Sequence, residues 1–124
     1  MCQELDLETD PNTIPQIASA FAGGIGNTGA VCGAVVGAIM AIGLKQGRGK
    51  TLEEIFANLA VAKEFRVRFE AEMGTIECRE LTGEDLTTDQ GMENLMTSDI
   101  AQNVCFPAVS TAYRLVIELL QETT

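Results

Sequence analysis

The chain has 124 residues, of which 46% are hydrophobic, so it is long enough for one domain whose core needs no disulfide or metal. It carries 8 Lys and Arg against 18 Asp and Glu, and this net charge of −10 excludes a surface that follows nucleic-acid phosphates. Histidine is absent, which leaves cysteines, carboxylates and backbone groups for chemistry. We expect a single helical domain over residues 1–124.

The first predicted helix follows an acidic segment. Residues 1–10 fit either an irregular lead-in or the end of a helix. Thr13 to Gln16 then forms a capping box with a proline near the helix start, and Gly23 with Gly24 ends the helix. The apolar stripe between them consists of Ile14, Ile17, Ala18 and Phe21.

The second predicted helix, Ala30 to Lys45, has an unusually small-sided face. A bare face admits close approach of another helix, so Gly37→Leu is predicted to destabilise the fold strongly. Thr28 is the predicted N-cap, which places Cys32 in the first helical turn, where free N–H groups favour a thiolate. The small residues are Ala30, Gly33, Ala34, Gly37, Ala38 and Ala41.

A membrane span is rejected for this region. Residues 11–44 contain no charged side chain, but the continuous apolar run from Gly29 to Leu44 has only 16 residues. A helix needs about 18–20 such residues to cross a bilayer. A buried helix is therefore expected.

The third predicted helix is long. It runs from Leu52 to Met73, with a capping box beginning at Thr51 and Gly74 just past its end. Its predicted apolar side consists of Ile55, Phe56, Leu59, Ala62, Phe65, Phe69 and Met73.

The last third of the chain predicts a short helix at Leu86 to Met96 and a longer one at Pro107 to Gln121. Cys78 falls in a segment that is either irregular or forms one helical turn, and Cys105 lies just before the proline-initiated last helix. No stretch alternates as a strand would. The fold class is therefore all-α, a compact bundle of four or five helices.

The glycine turn before Cys32 satisfies a GxGxxG pattern from Gly24 to Gly29. A helix rather than a strand precedes it, so no βαβ unit can hold a dinucleotide there. A weaker prediction remains: the N–H groups of Gly24, Gly26 and Gly29 form a concavity for an anion or cofactor beside Cys32.

The chain has four cysteines and no CxxC pair. No signal peptide is recognised, so we expect a reducing, cytoplasmic location, where cysteines are catalytic, redox-sensing, metal-bound or simply buried. Four thiolates could hold zinc or an iron–sulfur cluster, although their spacing resembles no common zinc motif. The cysteines are Cys2, Cys32, Cys78 and Cys105.

Several of these segments together resemble a known family. Phe21 to Gly26, Gly29 to Met40 with its CGAVVG sequence, Glu77 to Gly83 and Cys105 are similar to the redox-active four-cysteine family with the CGAxxG motif, C_GCAxxG_C_C. The resemblance covers most of the chain from Phe21 onward. It implies a small protein whose cysteines carry out thiol redox or metal chemistry.

One feature departs from that family. Its first cysteine lies in a helix further upstream of the glycine turn, whereas Cys2 is only about twenty residues before the turn and lacks that context. We expect this chain to lack the family's first helix. Cys32, Cys78 and Cys105 carry the resemblance, and Cys2 is the least secure of the four.

The sequence thus predicts a thiol-redox protein in which Cys32 is the attacking thiolate and Cys78 or Cys105 resolves it. Whether it is an enzyme, such as a thiol oxidoreductase, stays open. The rival prediction is a non-enzymatic helical binding module, with Cys32, Cys78 and Cys105 holding a metal or iron–sulfur centre, or with an apolar bundle holding a small ligand. Expected partners are an unidentified redox protein and a second copy of the chain. Both thiol predictions require these three cysteines to converge in the fold.

Overall fold

The computed structural model describes residues 11–122, and six regular α-helices lie within this part of the chain. The acidic segment 1–10 and Cys2 lie outside the described residues, so the predictions for them remain open. No β-strand occurs within residues 11–122, and the all-α prediction is confirmed. The helices are α1 (Thr13–Ala18), α2 (Gly33–Gln46), α3 (Leu52–Met73), α4 (Cys78–Thr82), α5 (Asp89–Thr97) and α6 (Phe106–Glu122).

Helix α3 has the predicted bounds because both of its ends are capped locally. The Thr51 hydroxyl accepts a hydrogen bond from the Glu54 N–H at 3.1 Å, while the Glu54 carboxylate accepts one from the Lys50 N–H at 2.6 Å. Gly74 ends the helix with φ +92°, a conformation suited to glycine.

The three long helices α2, α3 and α6 pack against one another around one apolar core. Ala38 of α2, Phe65 of α3 and Val116 of α6 are each fully buried. At the surface, ion pairs from Arg68 to Glu122 and from Arg114 to Glu72 join α3 to α6. Short helices and turns connect these three, and for this reason the predicted bundle of four or five helices is not confirmed.

Two predictions about helix faces are wrong. Phe56 and Leu59 were expected on the apolar side of α3, but they are 61% and 58% exposed because only the C-terminal half of α3 lies against the core. A Cβ atom added at Gly37 would meet nothing within 4 Å, so no neighbour touches the backbone there. At Gly33 a Cβ would be in ordinary van der Waals contact, 3.4 Å from the Phe21 carbonyl oxygen.

The small-sided face of α2 forms one wall of an apolar groove of about 430 Å³. Helices α1 and α6 supply the other walls. The lining residues are Ile14, Ala18, Gly33, Ala34, Gly37, Ala38, Met40, Ala41, Leu44, Val109, Ala112 and Tyr113.

None of the helices within residues 11–122 combines the length and the apolarity that crossing a membrane requires. This agrees with the sequence argument from the 16-residue apolar run.

Candidate redox site

A left-handed turn precedes Cys32. The five successive residues from Gly23 to Asn27 have φ between +61° and +72°. Glycine adopts this conformation freely, whereas the β-branched Ile25 at φ +63° is strained.

Thr28 closes this turn and does not cap α2. Its hydroxyl donates to the carbonyls of Gly24 and Ile25, at 2.7 Å and 2.8 Å. The N-cap of α2 is Cys32, whose carbonyl accepts from the N–H of Val35 at 3.0 Å. The predicted cap was wrong by four residues, and the correction moves the Cys32 thiol from the first turn of the helix to its N-cap.

A short antiparallel bridge brings Cys32 beside Cys78. The Cys32 N–H donates to the Ile76 carbonyl, and the Cys78 N–H donates to the Ala30 carbonyl, both at 2.7 Å. Val31 and Glu77 form the paired centre of this bridge. Two segments more than forty residues apart in the sequence thus hold both cysteines in a fixed register.

Gly24 packs directly against the Cys78 side of the bridge. A Cβ atom at Gly24 would lie 2.5 Å from the Ala30 nitrogen and 2.8 Å from the Cβ atom of Cys78. Gly29 is similarly close to Arg79, with 2.9 Å between the added Cβ and the Cβ of Arg79. The glycine turn is therefore the scaffold that seats the segment containing Cys78.

Cys105 reaches the same region from the other end of the chain. It is the last residue of a π-helical segment, Ala101–Cys105, which continues into α6. This segment packs against α4, the helix that begins at Cys78. π-Helical segments are uncommon and often occur at functional sites.

The three thiols share one electrostatic environment. Burial raises the pKa of the Cys78 thiol, and negative charge on Cys32 or Cys105 raises it further. Burial also raises the pKa of Cys105, with a further contribution from Cys32. Cys78 is buried, while Cys32 and Cys105 are half-buried. Ionisation of one thiol thus opposes ionisation of its neighbours, as expected if the three cysteines converge.

The sulfur positions support neither a preformed disulfide nor a metal centre within residues 11–122. Cys32, Cys78 and Cys105 are free thiols, and no two are at disulfide-bonding distance. In the same part of the chain, no three His, Cys, Asp or Glu side chains are arranged to hold a metal ion. The alternative metal or iron–sulfur site at these three cysteines is therefore not supported by the described donor atoms.

The anion site expected at Gly24, Gly26 and Gly29 stays a prediction. The N–H groups of Gly26 and Gly29 already donate to the carbonyls of Ala20 and Gly23, at 2.9 Å and 3.1 Å. An anion at the turn would have to compete with these internal hydrogen bonds.

Sequence reasoning missed two features of the site. The bridge partner Ile76 has no local signal, because pairing between distant segments is a tertiary property. The π-helical segment before Cys105 also has none that we recognise. The glycine run could have indicated the close contact with Cys78, since glycine is the residue used where backbones approach closely.

Comparison with known families agrees with this geometry. The family described as "Putative redox-active protein (C_GCAxxG_C_C)" matches residues 1–119. The chain belongs to this family. Its CGAxxG motif begins at the N-cap of α2 and continues into that helix, and the two later cysteines of the C_GCAxxG_C_C pattern are the ones that lie near it. No curated protein and no solved structure matches the chain.

Proposed function

We propose that this member of the C_GCAxxG_C_C family is a thiol-redox protein that exchanges two electrons with a disulfide substrate. The observation that carries the proposal is the meeting of Cys32, Cys78 and Cys105, from three distant segments, around one backbone bridge. Membership in a redox-active family supports it. A reducing compartment such as the cytoplasm would keep all three thiols available for reaction.

Cys32 is the attacking thiolate in this proposal. It is half-buried and stands at the N-cap of the 14-residue helix α2, where the helix dipole favours negative charge. Cys78 is a poorer nucleophile at neutral pH because burial raises its pKa. Cys105 is half-buried, but burial raises its pKa as well.

The reaction is an ordinary thiol–disulfide exchange. The Cys32 thiolate attacks one sulfur of the substrate disulfide, forms a mixed disulfide and releases the other substrate thiolate, which takes up a proton. A second protein thiolate then attacks the Cys32 sulfur, forms an internal disulfide and releases the second substrate thiol. The substrate disulfide gains two electrons and two protons, and the protein dithiol loses them.

Cys105 is the better resolving thiol in this scheme. It is more accessible than Cys78, whose Cβ is pressed against the glycine turn at Gly24. The sulfurs must move to bond, and Cys105 ends a π-helical segment, a conformation that is uncommon and often occurs at functional sites.

Mass mapping after anaerobic oxidation with glutathione disulfide tests the proposal. The wild-type chain should release two equivalents of glutathione and contain a Cys32–Cys105 disulfide. Cys105→Ser should trap glutathione on Cys32, and Cys32→Ser should not react at a comparable rate. A Cys32–Cys78 disulfide would change the resolving residue, and wild-type-like reaction of Cys32→Ser would overturn the role of Cys32.

A second candidate function is that of a binding module for a small apolar ligand. The groove of about 430 Å³ lies within the size range of small-molecule sites. Its α2 wall begins at Gly33, directly after Cys32, and its α6 wall includes Val109, one turn after Cys105. Calorimetric titration with 1-octanol tests this candidate.

Metal analysis of anaerobically purified protein separately tests the metal alternative, which stoichiometric zinc or iron would favour.

A further inference from the structure

Helix α3 carries an apolar stripe that nothing in residues 11–122 covers. Leu52, Phe56, Leu59 and Val67 are 67%, 61%, 58% and 53% exposed. Their spacing places them on one side of the helix, away from the buried Phe65 and Phe69. We call these four residues the α3 stripe.

The stripe is large enough to be an interface. Together with the neighbouring Ile39 and Ile55, it exposes on the order of 500 Å² of apolar surface, as much as the largest apolar patch of a typical monomer. Ile39, Ile55 and Leu59 line one shallow depression, so the surface is continuous from α2 to α3. Two copies that covered this surface would remove about 1,000 Å² from water, the lower limit for a specific interface.

The cations around the α3 stripe favour a second copy of this acidic chain as its partner. Four cations form no ion pair with a carboxylate of residues 11–122, whereas the other arginines do. Arg48 and Lys50 lie in the loop between α2 and α3, Lys45 lies in the last turn of α2, and Lys63 lies within the stripe itself. In a chain of net charge −10, this is the surface on which a second acidic copy is repelled least. The four cations are Lys45, Arg48, Lys50 and Lys63.

We propose that the α3 stripe binds the same stripe of a second copy, with the two α3 helices antiparallel about a two-fold axis near Leu59. An interface of this kind must be self-complementary. In this arrangement Lys63 of each copy lies near Glu53 of the other copy. The two residues are offset by about 3 Å along the helix axis, given a rise of 1.5 Å per residue. Glu53 is exposed at the edge of the stripe, so each copy supplies both charges of the pair.

Sedimentation equilibrium of the full chain tests the proposal. The wild-type protein should be a dimer at micromolar to millimolar concentration, and Leu59→Glu should raise the dimer Kd about tenfold or more, because it places a charge at the two-fold axis. Met96→Glu is the matched control. Met96 is 76% exposed on α5, so the same change in charge there should leave the Kd within about twofold.

Charge reversal provides a second measurement that does not remove apolar surface. Lys63→Glu should weaken the dimer, and adding Glu53→Lys should restore part of the lost affinity, with circular dichroism confirming that each variant is folded. A chain that remains monomeric up to about 1 mM overturns the proposal. A dimer whose Kd responds to Met96→Glu and not to Leu59→Glu overturns it as well.

Discussion

At the scale of single residues, the site depends on the absence of a side chain at Gly24. The backbone of this residue lies so close to Ala30 and Cys78 that even a methyl group cannot be accommodated without movement. The neighbouring Gly26 has nearly the same φ, yet a Cβ there would meet nothing within 4 Å. Gly24 thus needs both a left-handed backbone and the absence of a side chain, whereas Gly26 needs only the left-handed backbone.

Gly24→Ala should destabilise the fold by about 3 kcal/mol or more, because it combines left-handed strain with overpacking against Cys78. Gly26→Ala should cost only about 1–2 kcal/mol, the strain alone. Urea unfolding of the two variants measures the difference. Equal losses of stability would show that the contact with Cys78 is not tight.

The thiols should be alkylated in the order Cys32, Cys105, Cys78 by limiting iodoacetamide at neutral pH. Cys78 is buried, and burial raises the pKa of both Cys78 and Cys105, so both are mainly protonated at pH 7. Burial is the main cause of the raised pKa of Cys78. Mass mapping that found Cys78 labelled fastest would contradict the assignment.

At the scale of secondary-structure elements, the sequence predicted what is encoded locally. The bounds of α3 were correct because its caps, Thr51 and Gly74, are adjacent in sequence to the helix ends that they fix. Thr28 was misassigned because its hydroxyl donates to carbonyls that precede it in the chain. These hydrogen bonds depend on the left-handed path of the turn. The exposure of Phe56 was missed because periodicity identifies an apolar face but does not show whether anything packs on it.

Helix α2 should tolerate a large side chain at Gly37. A Cβ there meets nothing within 4 Å, and replacing a mid-helix glycine by leucine gains roughly 0.5–1 kcal/mol of helix propensity. Gly37→Leu should therefore keep or slightly raise the Tm while abolishing octanol binding in the groove. Gly33→Leu is the control, and it should give a lower Tm than Gly37→Leu because a Cβ at Gly33 already contacts the Phe21 carbonyl oxygen at 3.4 Å and the rest of the leucine side chain has less room there.

At the scale of the whole molecule, three long helices supply most of the core, and the segments that join them bring Cys32, Cys78 and Cys105 near one another. The sequence predicted the long helices, whereas the roles of Cys32, Cys78 and Cys105 stay predictions. The convergence of Cys32, Cys78 and Cys105 was expected from the family resemblance and from the chemistry, since no local pattern indicates the pairing of residue 32 with residue 76. Long-range pairing is fixed by the assembled fold.

The stability of the whole chain should fall at alkaline pH. The folded pKa of Cys78 is raised above the ordinary value of 9.0, first by burial and then by the neighbouring thiolates, so the folded state holds this proton more tightly than the unfolded state does. Its contribution is complete below pH 9 and is lost as the pH rises through the folded pKa. Cys78→Ala should flatten the decline in urea-derived unfolding free energy above pH 9. An unchanged slope would contradict the shift.

The groove also gives the molecule a built-in optical reporter. The chain contains no tryptophan and a single tyrosine, Tyr113, and that ring lies in the groove wall. All native emission of the polypeptide excited near 280 nm therefore comes from tyrosine at this one position. A molecule that enters the groove contacts the wall that contains this ring, so we expect its arrival to change the intensity of the tyrosine emission, which can be followed on the unlabelled, unmutated protein.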